Sequence, residues 1–177
     1  MTVVKVGGSL YDDPGLGPKL RAFLVTVPGP RFVVPGGGAF ADAVRDLDRV
    51  HGLGEAAAHR VALASLAAPA AFLAYLVGDL AEVLDVPAAV SRFEGRHGPI
   101  PASWDVTTDS LAAYIAADLG CDLVLLKSTA IPEGVSWAEA AGRGWVDSHF
   151  PAVVARFGLA VRAVDLRGWP VIPAFGR

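Results

Sequence analysis

Lysine is scarce in this chain: of fifteen cationic side chains only Lys5, Lys19 and Lys127 are lysines. Cysteine is scarcer, with Cys121 alone, so an internal disulfide is excluded. Charge of either sign is thin at 19% of residues, the net charge is −3, and no Lys/Arg cluster stands out. That balance excludes general attraction to nucleic acid or anionic lipid, and neither is expected as a partner. The four histidines, His51, His59, His97 and His149, lack any Cys/His or His/Glu spacing suited to zinc, so no metal-ligating residue is assigned. A long uninterrupted apolar run is also missing. The richest stretch, Val61 to Val86, is broken by Ser65, Pro69, Gly78 and Asp79, short of the roughly 20 residues that a membrane helix needs. It reads better as a buried helix or helix pair at a subunit interface, which predicts a homo-oligomer. The N-terminus opens directly into a strand pattern without a basic segment and apolar signal core, which predicts a cytoplasmic location. Three familiar motifs are absent as well: the P-loop, the Gly-x-Gly-x-x-Gly fingerprint and the Gly-x-Ser-x-Gly elbow.

Apolar residues, by contrast, make up 53% of the 177, which excludes intrinsic disorder and suits one domain over 1–177. Their order along the chain alternates strand and helix. Thr2 to Val6 reads as a buried strand, followed by a turn and a helix from about Gly17. Arg31 to Val34 is a second strand, and a glycine loop leads from it into a helix over Ala39 to Val50. Glu55 to Leu76 is helical with a break near Pro69. The region 78–101 gives no readable strand. A helix from Thr107 or Thr108 to Leu119 is stopped by Gly120, and Asp122 to Leu126 is the clearest late strand. Two short helices, a strand at Val161 to Val164 and an edge strand at Val171-Ile172 complete the reading. This alternation predicts an α/β fold whose largely parallel sheet is covered on both faces.

Two of the three lysines end apolar strands beside glycine or hydroxyl residues: Lys5 before Val6-Gly7-Gly8-Ser9, and Lys127 before Ser128-Thr129. An ammonium is a compact point charge with rotatable donors, suited to a tight phosphate site. Ligands of parallel α/β sheets bind beyond the carboxyl ends of the strands, where Lys5, Gly36-Gly37-Gly38 and Lys127 converge. The glycine loops allow close backbone approach to oxyanions, and the second opens a helix whose free N–H groups and dipole favour anions. Phosphoryl transfer needs positioning and charge stabilisation more than covalent chemistry, and two lysines supply that. A carboxylate between them would align them and limit their repulsion, with Asp109 the leading candidate. Arg45 is placed to reach an acceptor's phosphate or carboxylate and Asp42 its amine, and a structural Asp42/Arg45 pair is an equal reading.

Lys5-Val6-Gly7-Gly8-Ser9, Gly36 to Gly38, Thr108-Asp109-Ser110-Leu111-Ala112 and Lys127-Ser128, in that order, resemble the amino acid kinase superfamily over about residues 3 to 130. The resemblance implies a three-layer α/β/α sandwich and an ATP-dependent kinase. It implies catalytic roles for Lys5, Asp109 and Lys127, with the loops Gly7, Gly8 and Gly36, Gly37, Gly38 embracing acceptor and phosphate; Ser9, Asp42 and Arg45 are candidates beside them. Thr108, Lys127, Ser128 and Thr129 then fall along the nucleotide, and Mg²⁺ arrives with the ATP. The wider strings Val34 to Asp42 and Pro101 to Thr107 resemble an archaeal and bacterial branch tied to one-carbon cofactor (methanofuran) biosynthesis. That branch implies an aminomethylfuran-methyl phosphate as acceptor. Two other readings stay open at this level. One is a non-catalytic nucleotide- or anion-binding regulatory protein on a kinase-like fold, and the other a kinase forming an acyl phosphate from an amino acid.

Overall fold

A computed structural model describes residues 1–170. The sequence-predicted edge strand at Val171-Ile172 lies outside the described residues. Five strands form one parallel sheet: β1 (Thr2–Val6), β2 (Arg31–Pro35), β3 (Glu82–Val83), β4 (Asp122–Lys127) and β5 (Val161–Asp165). Their spatial order is β3-β2-β1-β4-β5. The chain builds outward from β1 in one direction and then returns to build in the other, so the topological switch point lies between β1 and β4. The register there sets Lys5 opposite Leu125 and Val6 opposite Leu126. Both strand-end lysines therefore stand at the same edge of the switch point.

Strand alternation decides which way they face. Val4, Val6, Val33, Val124 and Leu126 turn to one side, against Leu20, Phe23 and Leu24 of α1 (Leu16–Leu24) and Leu73 and Val77 of α4 (Ala67–Val77). Val3, Val34, Leu123 and Leu125 turn to the other, against α5 (Val86–His97), α6 (Thr108–Leu119) and α8 (Phe150–Phe157). Lys5 is two residues from Val3, and Lys127 two from Leu125, so both share the α6 side. The sandwich is the predicted α/β/α arrangement, and helices cover the sheet on both faces as its near-continuous apolar strands require.

Between β2 and β3 come α2 (Ala39–His51), α3 (Glu55–Ser65) and α4; α7 (Trp137–Gly142) precedes α8. The break predicted near Pro69 falls one turn earlier, at Leu66. The physical cause is the proline, whose ring conflicts with the carbonyl four residues back, here that of Ser65. Within Glu55–Leu80 an 18-residue window has a mean hydropathy of 1.9, long and apolar enough by composition to cross a membrane. In the fold it is divided at Leu66, with α4 packed on α1, β2 and β3, and α3 on α2 and α5.

The region 78–101 gives no readable strand in the sequence. It holds a strand after all, the two-residue β3, in register with Phe32 and Val33 of β2, followed by α5 with Asp85 as its N-cap, accepting from the Ala88 N–H. A two-residue strand has no periodicity to read. The helix α6 runs as predicted to Gly120, which takes the left-handed conformation (φ +61°) that an L side chain resists. Eight consecutive residues of α6, Asp109 to Ala116, are buried, which suits its run of small residues.

Candidate active site

At the switch point a single carboxylate holds both lysines. The Lys127 Nζ donates to Asp109 Oδ2 at 2.6 Å, and the Lys5 Nζ lies 2.8 Å from Oδ1. The second contact is an ion pair lying off the hydrogen-bond direction. The side chains of Lys5, Asp109 and Lys127 are 6%, 6% and 12% exposed, so these charges interact in a largely water-free setting. Burial alone would raise the Asp109 pKa, but the charges of the two lysines and the contacts they make with the carboxylate outweigh it and hold the carboxyl below the usual range. Lys127 is pushed down to about 8, chiefly by burial and then by the neighbouring Lys5 charge, against the opposing pull of Asp109 and Asp147. Two cations share the one carboxylate between them, while the Asp147 carboxylate in the same cavity is taken up by its own N–H and hydroxyl donors.

The glycine loops pack on each other backbone to backbone. A Cβ on Gly8 would collide with the Gly38 amide, and a Cβ on Gly36 with the Gly8 amide. Gly38 also takes a φ of +52° as it enters α2, and no side chain caps that helix. Glycine is required here by close approach as much as by any ligand. The Tyr11 hydroxyl donates to the Gly36 carbonyl at 2.7 Å, buttressing the loop from behind. The Ser9 turn is tied down in turn by Arg167, which donates to the Ser9 carbonyl at 2.9 Å and to Asp12 at 2.6 Å. Lys19, the third lysine, stands apart from the pair and bonds Asp13 and the Arg167 carbonyl.

Two cavities meet at Lys5, Gly8 and Ser9. One, of about 240 Å³, is walled by the glycine loop, Asp42 and Arg45 of α2, His59, Leu63 and neighbouring apolar residues of α3, and Trp104. The other, of about 320 Å³, is lined by Gly7, Asp109, Lys127, Ser128, Thr129 and the segment Gly144 to Asp147. The hydroxyls of Ser9 and Ser128 lie 2.9 Å apart across the second mouth. In the first cavity Arg45 donates to Asp42 at 2.8 Å and its guanidinium sits 4.9 Å from the Trp104 ring centre. The Trp104 indole N–H donates to Asp48 at 3.0 Å, which fixes the ring's orientation. Burial lowers the His59 pKa against the Ser103 carbonyl and Glu94, favouring the neutral ring at neutral pH.

Most residues singled out from the sequence thus gather around one place. Gly8, Ser9, Gly37, Gly38, Asp42 and Arg45 line the first cavity; Gly7, Ser9, Asp109, Lys127, Ser128 and Thr129 line the second. Two are placed otherwise. Thr108, grouped from the sequence with Lys127, Ser128 and Thr129, lines the first cavity and not the second, because one residue's rotation at the start of α6 turns it away from Asp109. Gly36 lines neither cavity and serves instead as the seat of Gly8. Sequence reasoning missed Trp145 and Asp147, which sit in an irregular segment without a motif, and the apolar wall of Ala62, Leu63 and Leu66, whose alanine-rich surroundings show no distinct face.

A parallel sheet of this order carries a lysine at or next to the end of each strand at its switch point, with glycine loops beside them, and its likeness to a solved kinase shows the fold to be amino acid kinase-like. No family model matches the sequence. The chain is similar to the [5-(aminomethyl)furan-3-yl]methyl phosphate kinase of Methanocaldococcus jannaschii, with 25% identity covering 94% of this chain and 88% of that protein. Its structure is similar to the crystal structure of uridylate kinase from Archaeoglobus fulgidus, with a TM-score of 0.63 and 17% identity over 92% of this chain and 89% of that one. Both relatives are kinases, which supports a phosphotransferase.

Proposed function

We propose that this chain transfers the γ-phosphoryl group of ATP to a phosphate oxygen of a small phosphorylated acceptor. The observation that carries the reading is the Lys5–Asp109–Lys127 bridge at the junction of two cavities. The acceptor occupies the cavity of Arg45 and Trp104, and the nucleotide phosphates occupy that of Lys127, Ser128 and Thr129. In the transfer a bond forms from an acceptor oxygen to the γ-phosphorus, the bond to the β-phosphate oxygen breaks, and ADP departs with that electron pair. Lys5, shared by both cavities, faces the transferring group, and Lys127 faces the leaving side. Their charges offset the negative charge of a crowded transition state, while Asp109 keeps them aligned without reacting.

Magnesium enters this reading with the nucleotide. Among the described residues no group of three or more His, Cys, Asp and Glu side chains could hold a metal ion. Asp109 is engaged by two lysines, and Asp147 by backbone and hydroxyl donors. An ion held mainly by phosphate oxygens and water fits that donor set.

For the acceptor, we favour an aminomethylfuran-methyl phosphate of methanofuran and one-carbon cofactor biosynthesis, which would become a diphosphate. Support comes from the name of the Methanocaldococcus relative and from the cavity itself. Its apolar wall of Ala62, Leu63, Leu66, Val106 and Leu111 suits a flat ring, the Asp42 carboxylate an ammonium, and Arg45 a phosphate. The proposal extends to a cytoplasmic protein that associates with copies of itself and has no nucleic-acid or membrane partner. The test is phosphorus NMR of purified protein with Mg²⁺-ATP and the furan phosphate. A new diphosphate resonance is expected. Transfer to other phosphorylated metabolites but never to the furan phosphate removes the acceptor assignment, and absence of any transfer removes the kinase reading.

A further inference from the structure

The first turn of α6, which carries Asp109, is held by a residue far away in sequence. Asp147 lies in the segment between α7 and α8. Its Oδ2 accepts the Thr107 N–H at 3.0 Å, the Thr107 hydroxyl at 2.8 Å and the Ser110 N–H at 3.0 Å. Its Oδ1 accepts the Ser110 hydroxyl and the Phe150 N–H, the latter at 2.9 Å. Thr107, in the N-cap position, makes no capping bond with its own side chain. The carboxylate of Asp147 thus does in trans what an N-cap residue does locally, and it satisfies the start of α8 as well. A carboxylate held by five donors is also fixed in rotamer, so it transmits its position to what it binds.

Thr107 and Ser110 flank Asp109 on either side. We propose that Asp147 is a positioning residue for phosphoryl transfer, clamping the first turn of α6 so that the Asp109 carboxylate stays between Lys5 and Lys127. The inference rests on the kinase reading above for its activity arm only. It has two consequences. The N-terminus of α6 already holds an anion, so substrate phosphates are left to the uncapped start of α2, the glycine loops and the lysines. And the charges facing Lys127 are then three: Lys5 from β1, Asp109 from α6 and Asp147 from the segment before α8, the last two favouring its ammonium form.

The test uses Asp147→Asn and exploits the scarcity of lysine. With lysine labelled at the ε-carbon, three resonances report Lys5, Lys19 and Lys127, and Lys127→Arg identifies the one of interest. In D147N the Lys127 midpoint is expected to fall by half a unit or more, because a charge is lost and Asp109 is freed to move. In the kinase assay kcat is expected to fall tenfold or more while KM for ATP changes less than threefold. An unchanged Lys127 midpoint together with unchanged kcat overturns the proposal and leaves Asp147 a structural cap. If wild-type protein transfers no phosphate, the kinase reading fails, and the Lys127 titration in Ser110→Ala, which keeps the Asp147 charge that itself acts on Lys127, still decides whether Asp147 positions the bridge. Should D147N not fold, Ser110→Ala removes one donor and keeps the charge; a smaller downward shift is expected, and none overturns the inference.

Discussion

A lysine at a strand end is ordinarily a solvated group that contributes little to a core, and on that view either strand-end lysine could be removed without harm to folding. Burial of Lys5, Asp109 and Lys127 changes the expectation. Removing one lysine leaves the enclosed Asp109 carboxylate with half its partners, which costs about 1–3 kcal/mol in addition to any catalytic loss. We therefore expect Lys5→Ala and Lys127→Ala each to lower turnover by about 100-fold or more. Both are also expected to melt several degrees below the parent. Turnover by both variants at the parental rate would remove the mechanism, whatever their melting temperatures. The pH profile gives an independent check. Lys127, depressed to about 8, carries its charge below that pH and loses it above, so kcat/KM should fall as pH rises through about 8. Lys127→Arg keeps the charge at all these pH values. It should flatten the alkaline limb while lowering the maximal rate, because a planar fork replaces a point charge. A wild-type profile that stays level to the alkaline side would contradict the burial argument.

Elements were legible where their pattern is local. β1, β2, β4 and β5 are apolar runs bounded by glycine, proline or charge, and they fall where the sequence places them. β3 was not legible, because Glu82 and Val83 become a strand only by pairing with Phe32 and Val33, some fifty residues earlier. The same division runs through the site. Lys5 and Lys127 stand out because each interrupts an apolar run, and the glycine loops because of their density. Asp147 does not, since its partners Thr107 and Ser110 lie 40 and 37 residues away. Glycine itself separates the two cases by experiment. Gly8→Ala drives a Cβ into the Gly38 backbone, which has no rotamer to yield, so a loss of about 1–3 kcal/mol and collapse of both cavities are expected. Gly95, inside the exposed face of α5, has nothing within 4 Å of the added Cβ. Gly95→Ala should therefore stabilise by about 0.5–1 kcal/mol and leave turnover unchanged. Paired thermal melts and rate measurements check both signs. A Gly8→Ala protein as stable as the parent would show that the two loops can separate freely.

At the scale of the whole molecule, the Lys5–Asp109–Lys127 bridge sits at the switch point, and a set of exposed apolar side chains lies along α3 and α4. Tyr75 is 86% exposed, Phe72 40% and Val61 41%, on a stretch otherwise dominated by alanine and leucine. Beside them a groove lined by Leu66, Ala67, Ala70, Ala71 and Ala74 runs against Val83 and Val86, where β3 leaves the sheet with a short edge. A tyrosine standing in water next to an apolar groove, beside a phenylalanine only partly covered by Tyr11, loses free energy of about 25 cal/mol for each Å² of apolar surface left uncovered. Each helix, at 11 residues, is about 16 Å long, roughly half the thickness of a bilayer's hydrocarbon core. Association with a second copy covers this face without taking the helices out of the fold, since α4 is bound to α1 and β2 on its inner side. Light scattering on the purified chain should therefore give at least twice the 18.3 kDa of a single copy. Tyr75→Glu combined with Phe72→Glu, which places two charges on that face, should return the mass to one copy while the far-ultraviolet spectrum stays the same. Because α3 also supplies His59 and Leu63 to the cavity proposed for the acceptor, the separated variant should bind acceptor more weakly, with its affinity for nucleotide unchanged. A wild-type chain that remains a single copy at every concentration would assign that face no role in self-association.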